Sequence, residues 1–409
     1  MLLTDQFRTG NQGALRRQNL SALMHHLYES APIARAELVK LTGLNKATVS
    51  SLINELIANR FIQEIGAGKS NGVGRRTVLL DVNPARGCII SGEISADLIS
   101  VICADFATEI IWRRTESLER GAGPEAVITH TVELLRAAQT AGAAAGAPLL
   151  GLALGVPGLV NLESGTLLYS TNLEWRDVPL QEILSRHFQT SIYVDNSATL
   201  AALGEQYFGV AEGHREVLYL NAGVGLGGGM VLEGRLYGGA AGFAGEFGHM
   251  TMDPEGELCK CGNRGCWETQ VSQAALFRLI RQAVESGAAS QLTELVNDRP
   301  DQLTVRLVAE AARAGDAVAL AALHKVGRDL GIGIASLINA LNPELVVFGG
   351  TLSEAADLFM EMVRDEARGR ALYWNHKTAR IEIARYEADA TLMGGVARIC
   401  QSVLANPSR

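Results

Sequence analysis

Aromatic residues are scarce in this 409-residue sequence, at 5%. Long apolar runs are missing too. No stretch of about 20 apolar residues occurs, so no membrane span is expected. The start, MLLTDQFRTGNQGALRRQN, lacks the charged-then-apolar order of a secretory leader. Cysteine is sparse, with six residues at 88, 103, 259, 261, 266 and 400. Three are scattered and three clustered. That excludes a disulfide framework and favours a metal site in a reducing cytoplasm. What the chain has in quantity is glycine, 44 residues, and 47% apolar residues. Alternating strands and helices joined by Gly-rich turns suit this bias better than an all-β design.

The net charge of −8 is unevenly spread. Residues 1–85 hold ten Lys/Arg and six Asp/Glu, a balance of +4, which leaves −12 for the remainder. A basic head on an acidic body places any polyanion at the head. Helical spacing of Leu20, Leu23, Met24 and Leu27 predicts a first helix. Pro32 interrupts it, and Arg35 to Leu41 reads as a second. Thr42-Gly43-Leu44 is a turn, and Asn45 is the N-cap of a third helix running to about Asn59. Val49, Leu52, Ile53, Leu56 and Ile57 form its buried stripe. This is a helix-turn-helix, and the flanking runs 61–65 and 77–82 around a polar tip make it winged. Asn45, Lys46, Ala47, Thr48, Ser50, Ser51 and Asn54 lie off the stripe. They are small or polar, as a helix entering the major groove requires. Arg75 and Arg76, at the wing tip, are placed to touch the DNA backbone or minor groove. Asn83-Pro84 reads as the linker, giving a head of residues 1–83.

After Gly87 the rhythm is that of an α/β body, with short buried strands, helices and Gly-rich turns. Long helices are expected over 271–286 and 303–341. Two successive halves, 84–200 and 201–409, imply two lobes with a cleft between them. Within the second half lies His249-x9-Cys259-x-Cys261-x4-Cys266. Three thiolates and one imidazole favour tetrahedral zinc. Four protein ligands leave no position for a catalytic water, so the ion would be structural. Glu246 and Glu268 bracket the set.

Several motifs occur in one order: Leu154-Gly155-Val156-Pro157-Gly158, Asp195-Asn196-Ser197, Gly223 to Gly229, Gly245-Glu246-Phe247-Gly248-His249, and the Cys cluster. Together they resemble the ROK family of repressors, open reading frames and kinases. The resemblance spans residues 87–409, and with the winged helix nearly the whole chain. Segments 45–51 and 170–177 look most like the xylose-repressor branch. The resemblance implies an actin-like, ribonuclease-H-like fold whose final helix returns to the first lobe. It implies a monosaccharide, xylose or glucose, bound between the lobes by Gly158, Leu159, Thr171, Asn172, Asn196, Ser197, Glu246, His249 and Glu268. Carboxylates, amides and an imidazole suit sugar hydroxyls, which both donate and accept.

Kinase members of the family need a base and a phosphate cradle. Their base is the Asp of an Asn-Asp-Ala-Asn run, where this chain has Ser197 in Asn196-Ser197-Ala198-Thr199. A hydroxyl accepts no proton usefully at neutral pH. Asp195 is a candidate substitute, but two residues away. Their first phosphate loop, Asp-x-Gly-Gly-Thr-Lys, matches Glu93 to Leu98. Both glycines are gone, and Asp97 would repel a phosphate charge by about 4 kcal/mol at about 4 Å in an effective dielectric near 20. The expectation is a non-enzymatic, sugar-released repressor. It would bind operator DNA as a homodimer or homotetramer. A sugar kinase, or a repressor switched by a protein partner, are the alternatives.

Overall fold

The computed structural model of the protein describes residues 12–67, 78–118 and 121–405. The first helix, α1 (Gln12–Ser30), buries Leu20, Leu23, Met24 and Leu27. A two-residue strand, β1 (Ile33–Ala34), leads into α2 (Arg35–Thr42). Gly43 ends α2 at φ 67, in the left-handed region that glycine enters without penalty. The chain can therefore restart at once as α3 (Lys46–Ala58). Asn45 caps α3 as expected, its side chain accepting from Thr48 N at 2.8 Å. Val49, Leu52, Ile53 and Leu56 are buried. Strands β2 (Ile62–Ala67) and β3 (Val78–Val82) pair antiparallel, and β1 joins β3 to complete a three-stranded sheet. The wing tip, with Arg75 and Arg76, lies outside the described residues.

The body contains the same sheet twice. In the first, β4 (Cys88–Ile94), β5 (Leu98–Asp105) and β6 (Ile110–Ser117) run antiparallel. After helix α4 (Pro124–Ala144), β7 (Leu149–Val156) lies parallel to β4. A small sheet of β8 (Leu159–Asn161), β9 (Thr166–Ser170) and β10 (Trp175–Val178) follows, then α5 (Leu180–Ser185). Strand β11 (Ile192–Asn196) adds in parallel, giving the order β11-β7-β4-β5-β6.

Helix α6 (Ser197–Phe208) leads to the second copy. There β12 (Val217–Ala222), β13 (Leu226–Leu232) and β14 (Arg235–Leu236) are antiparallel. Helices α7 (Gln273–Glu285), α8 (Thr293–Asp298), α9 (Val305–Arg313) and α10 (Ala317–Leu341) intervene. Strand β15 (Leu345–Gly349) is parallel to β12. Then come α11 (Met360–Arg370), α12 (Tyr373–Thr378) and β16 (Arg380–Ile383), which is parallel to β15. The order β14-β13-β12-β15-β16 repeats the first sheet strand for strand. This duplicated mixed sheet is the actin-like body expected from the sequence. The last helix, α13 (Ala390–Ala405), crosses back to pack on α6, β7 and β4.

The single long helix expected over 303–341 is two helices. Gly315 (φ 89) breaks the run, and the Asp316 side chain caps α10 by accepting from Ala319 N at 2.9 Å. No helix among the described residues is long and apolar enough to cross a membrane.

The join at residues 83–84 is tied down. Asn83 donates to Arg60 O at 2.9 Å and caps the turn Pro84–Arg86. Beyond it, head and body share one apolar core. Leu23, Met24, Leu27 and Phe61 of the head belong to the same buried cluster as Phe106, Tyr207, Phe208 and Val396. The Tyr28 ring meets Phe208 edge-on at 5.6 Å, and its hydroxyl donates to Phe106 O at 2.8 Å.

Candidate functional site

Between the two sheets lies a cavity of about 910 Å³. All nine positions expected to hold sugar line it. Gly158 lies in the turn after β7, Leu159 opens β8, and Thr171 and Asn172 come from the turn after β9. Asn196 and Ser197 sit at the junction of β11 and α6. Glu246, His249 and Glu268 come from the loop that carries the Cys cluster.

Local geometry explains why these residue types stand where they do. Gly158 has φ 120, and a Cβ there would lie 2.3 Å from Tyr169 O. Only glycine lets the β8–β9 hairpin close against the cavity. Asn196 does a structural task. Its Oδ1 accepts from Ala198 N and Thr199 N at 2.8 and 3.1 Å, and its Nδ2 donates to Gly158 O at 2.9 Å. One N–H remains for a ligand. Gly225 faces Glu268 and Asn172, and a Cβ would stand 2.8 Å from Glu268 Oε2. Burial pushes the Glu246 carboxyl up from its usual range, while His249 pulls it down.

The cysteines converge as the spacing predicts. One ligand atom each from His249, Cys259, Cys261 and Cys266 lies within 4.8 Å of the other three. Cys261 Sγ and Cys266 Sγ are 3.6 Å apart, and Cys259 Sγ and His249 Nδ1 are 3.8 Å apart. Tetrahedral zinc with Zn–S near 2.3 Å places its ligands about 3.5–3.8 Å apart. The donor set and its spacing therefore fit the ion. The Cys259 thiol is pushed up by burial and by Glu268, whose Oε1 it meets at 2.9 Å. A divalent cation reverses that preference, since a coordinating thiol is deprotonated. His249 turns Nδ1 to the thiols and Nε2 towards Glu246 Oε2, 3.9 Å away.

The other half of the cavity occupies the place of the kinase phosphate loop. Residues Ser95 to Leu98 form a tight turn closed by Ser95 N donating to Leu98 O at 2.9 Å. Ser95 Oγ accepts from the amides of Asp97 and Leu98 at 3.4 and 3.1 Å. Backbone N–H groups that would cradle a phosphate are thus occupied within the turn. Gly223 to Gly225 form the β12–β13 hairpin turn, with Gly223 N donating to Gly225 O at 2.9 Å, and Gly227 to Gly229 belong to β13 itself. Seven carboxyls but only two guanidiniums line the whole cavity. One of these, Arg113, is already paired two-pronged with Asp389 at 2.7 and 2.5 Å. Asp195, the candidate substitute base, does not line the cavity. Burial pushes it up to about 6, and the nearby Arg398 pulls it down.

Glu93, which the sequence marked only as part of a lost loop, lies deep in the cavity near the Ser197 and Thr391 hydroxyls. Burial pushes it up to about 7. Its proton is fully held in the folded state below the ordinary carboxyl value and lost as pH rises through about 7. Stability therefore falls across that window, by up to about 3 kcal/mol. Glu93→Gln is expected to abolish that loss. Urea midpoints of wild type and variant should agree near pH 4 and diverge by pH 8, with the variant more stable. Equal midpoints at pH 8 would contradict the buried-carboxyl account.

A family model described as "ROK family" matches residues 96–401. The chain belongs to the ROK family. The xylose repressor of Caldicellulosiruptor bescii is 35% identical over 97% of this chain and 99% of that protein. A solved ROK family transcriptional regulator, homologous to the E. coli MLC protein, superposes with a TM-score of 0.78. It is 25% identical and covers 96% of this chain and 97% of its own. A ROK glucokinase from Streptomyces griseus, solved with glucose and AMPPNP, gives a TM-score of 0.68 at 30% identity. It covers 76% of this chain and 98% of its own. The regulators thus match head and body together, and the kinase matches about the length of the body.

On the head, Asn45, Lys46, Ala47, Ser50, Ser51 and Asn54 are exposed and Thr48 half-buried. The sequence reading missed Arg35, which donates to Asn54 Oδ1 at 3.0 Å and to Glu64 at 2.9 Å. It ties α3 to β2 and orients Asn54. Its signal, an Arg opening the preceding helix, carries no distance information.

Proposed function

We propose that the chain is a sugar-responsive, DNA-binding transcriptional repressor and carries out no phosphoryl transfer. The observation that carries this reading is one chain's combination of a winged-helix head, nine candidate positions lining one cavity and a turn at Ser95 to Leu98 closed on itself by Ser95. The head, residues 1–83, would place α3 in the major groove through Asn45, Lys46, Ala47, Thr48, Ser50, Ser51 and Asn54, with Arg75 and Arg76 on the wing. The lobes 84–200 and 201–409 would close on the ligand. Operator reading by a homodimer or homotetramer sets two such helices about one DNA turn apart. The working compartment is the cytoplasm.

The ligand favoured is an unphosphorylated monosaccharide. Excess carboxyl in the cavity disfavours a sugar phosphate. The xylose repressor of C. bescii makes xylose the first candidate, with glucose next. Glu246, Glu268 and the Nε2 of His249 would receive its hydroxyls. His249, Cys259, Cys261 and Cys266 would hold a structural zinc ion, which supplies rigidity and fixes the His249 ring. Sugar then shifts the population of head placements by no more than its differential affinity for the two lobe arrangements.

A gel-shift panel of monosaccharides and their 6-phosphates on operator fragments tests this. One free sugar is expected to release the DNA. Retention of DNA with every sugar, or consumption of ATP with any hexose or pentose, would overturn the reading in favour of a partner-switched repressor or a kinase. The head is tested separately. Lys46→Ala is expected to weaken operator binding several-fold and to reduce the salt slope of log K by about 1. Sugar affinity, read by calorimetry, should not change.

A further inference from the structure

A second group of metal-ligating side chains stands far from the cleft, where α1 of the head meets the turn after α6 of the body. His25 and Glu29 lie one helical turn apart on α1, and Glu212 faces them from the body. One ligand atom from each lies within 4.8 Å of the other two. Among the described residues, this and the Cys cluster are the two groups so arranged.

The contact between His25 and Glu212 is unusual in its geometry. His25 Nε2 stands 2.9 Å from Glu212 Oε1. That oxygen is buried, yet it accepts no hydrogen bond, because the imidazole is not aimed along it. Two atoms at hydrogen-bond distance without hydrogen-bond alignment are what neighbouring ligands of one ion look like. Ligands about 2.1 Å from a metal and at right angles to each other are separated by about 3.0 Å. Glu29 brings a second carboxylate against Glu212. Two facing carboxylates need a cation or a shared proton between them. Arg385 offers Glu212 only a longer-range positive charge; its own guanidinium donates to Phe208 O at 3.1 Å. His26 Nδ1, 3.2 Å from Glu29 Oε2, steadies that carboxylate from the outer side.

We propose that His25, Glu29 and Glu212 form a divalent transition-metal site that clamps α1 of the head to the body. One imidazole with two carboxylates suits a borderline ion such as zinc, cobalt or nickel, rather than the all-oxygen shell preferred by calcium or magnesium. Three protein ligands leave the remaining positions to water. The site is independent of the Cys cluster, which offers thiolates. Because its ligands come from both sides of the joint, the ion ties head placement to metal availability.

Full-length protein, with its zinc content first measured, is titrated with cobalt(II) by calorimetry and absorbance. Wild type is expected to take one equivalent beyond its zinc, with weak ligand-field bands and none of the intense thiolate-to-cobalt absorption. Its thermal midpoint should rise with cobalt, as for any ligand selective for the folded state. Glu212→Gln and His25→Ala should each weaken this equivalent at least about a hundredfold while keeping the original zinc content and a native circular dichroism spectrum. Absence of an extra equivalent in wild type leaves a bare His–Glu pair and overturns the proposal. So does an extra equivalent that persists in both variants, or one that shows thiolate absorption. A chain without zinc that still binds cobalt without thiolate bands would count against the Cys cluster and not against this site.

Discussion

Cys261→Ser is expected to lose its zinc and its response to sugar together. Structural zinc sites in small peptides hold the ion by about 10–16 kcal/mol near neutral pH, spread over four ligands. Removing one thiolate costs several of those kcal/mol, so dialysis against a chelator should leave less than about a tenth of an equivalent. The consequence reaches the cleft because His249 belongs to both the Cys cluster and the cavity lining. Backbone bonds such as Met252 N to Gly265 O at 2.8 Å and Cys259 N to Asn263 O at 2.8 Å fold the loop, but they do not hold the His249 ring. The His249 ring would lose its anchor, and with it its set position against Glu246 and Glu268. Operator binding without sugar should survive, since the head lies elsewhere. Metal analysis and a gel shift on the same preparation check both halves. Equal zinc in variant and wild type would remove the Cys cluster from the account.

Glu246→Ala is the second large effect. A hydrogen bond to an ionised group contributes about 1.5–3 kcal/mol, so the sugar concentration that releases DNA should rise about 10- to 100-fold. Affinity for operator in the absence of sugar should stay at the wild-type value. Glu246→Gln, which keeps the shape and one acceptor, should fall between the two. Unchanged release by sugar in Glu246→Ala would point to a switch operated by a protein partner.

Much of this architecture was written in local pattern. The third helix began and ended as expected because Asn45 caps it and its stripe repeats at helical spacing. The cleft residues were legible because each sits in a short motif, several of them anchored by a glycine such as Gly158, which must hold φ 120. The metal cluster was legible because its donors lie within eighteen residues of each other. The break between α9 and α10 was readable in Gly315-Asp316, a stop followed by a cap, but the apolar stripe on both sides masked it. Other features depend on pairings distant in sequence. Nothing near Glu93 says that it will be buried beside Thr391, 298 residues away. Nothing near Asp195 says that it is buried outside the cleft, its carboxylate accepting from Asn196 N at 2.7 Å. Asn196 looked like a ligand and proved to be a cap first, because a side-chain amide ahead of a helix satisfies the helix before it meets anything else.

The core shared by head and body bears on how such proteins can be recombined. Leu23, Met24, Leu27 and Phe61 are buried in one apolar cluster with Phe106, Tyr207 and Phe208. A chimera cut at residue 83 would leave those three aromatic rings facing whatever the donor head supplies. Transplanting a new operator specificity onto this body therefore means grafting the exposed face of α3 alone. Transplanting the body means carrying Phe106, Tyr207 and Phe208, or their fit, along with it. The unit of exchange is a surface, not a segment.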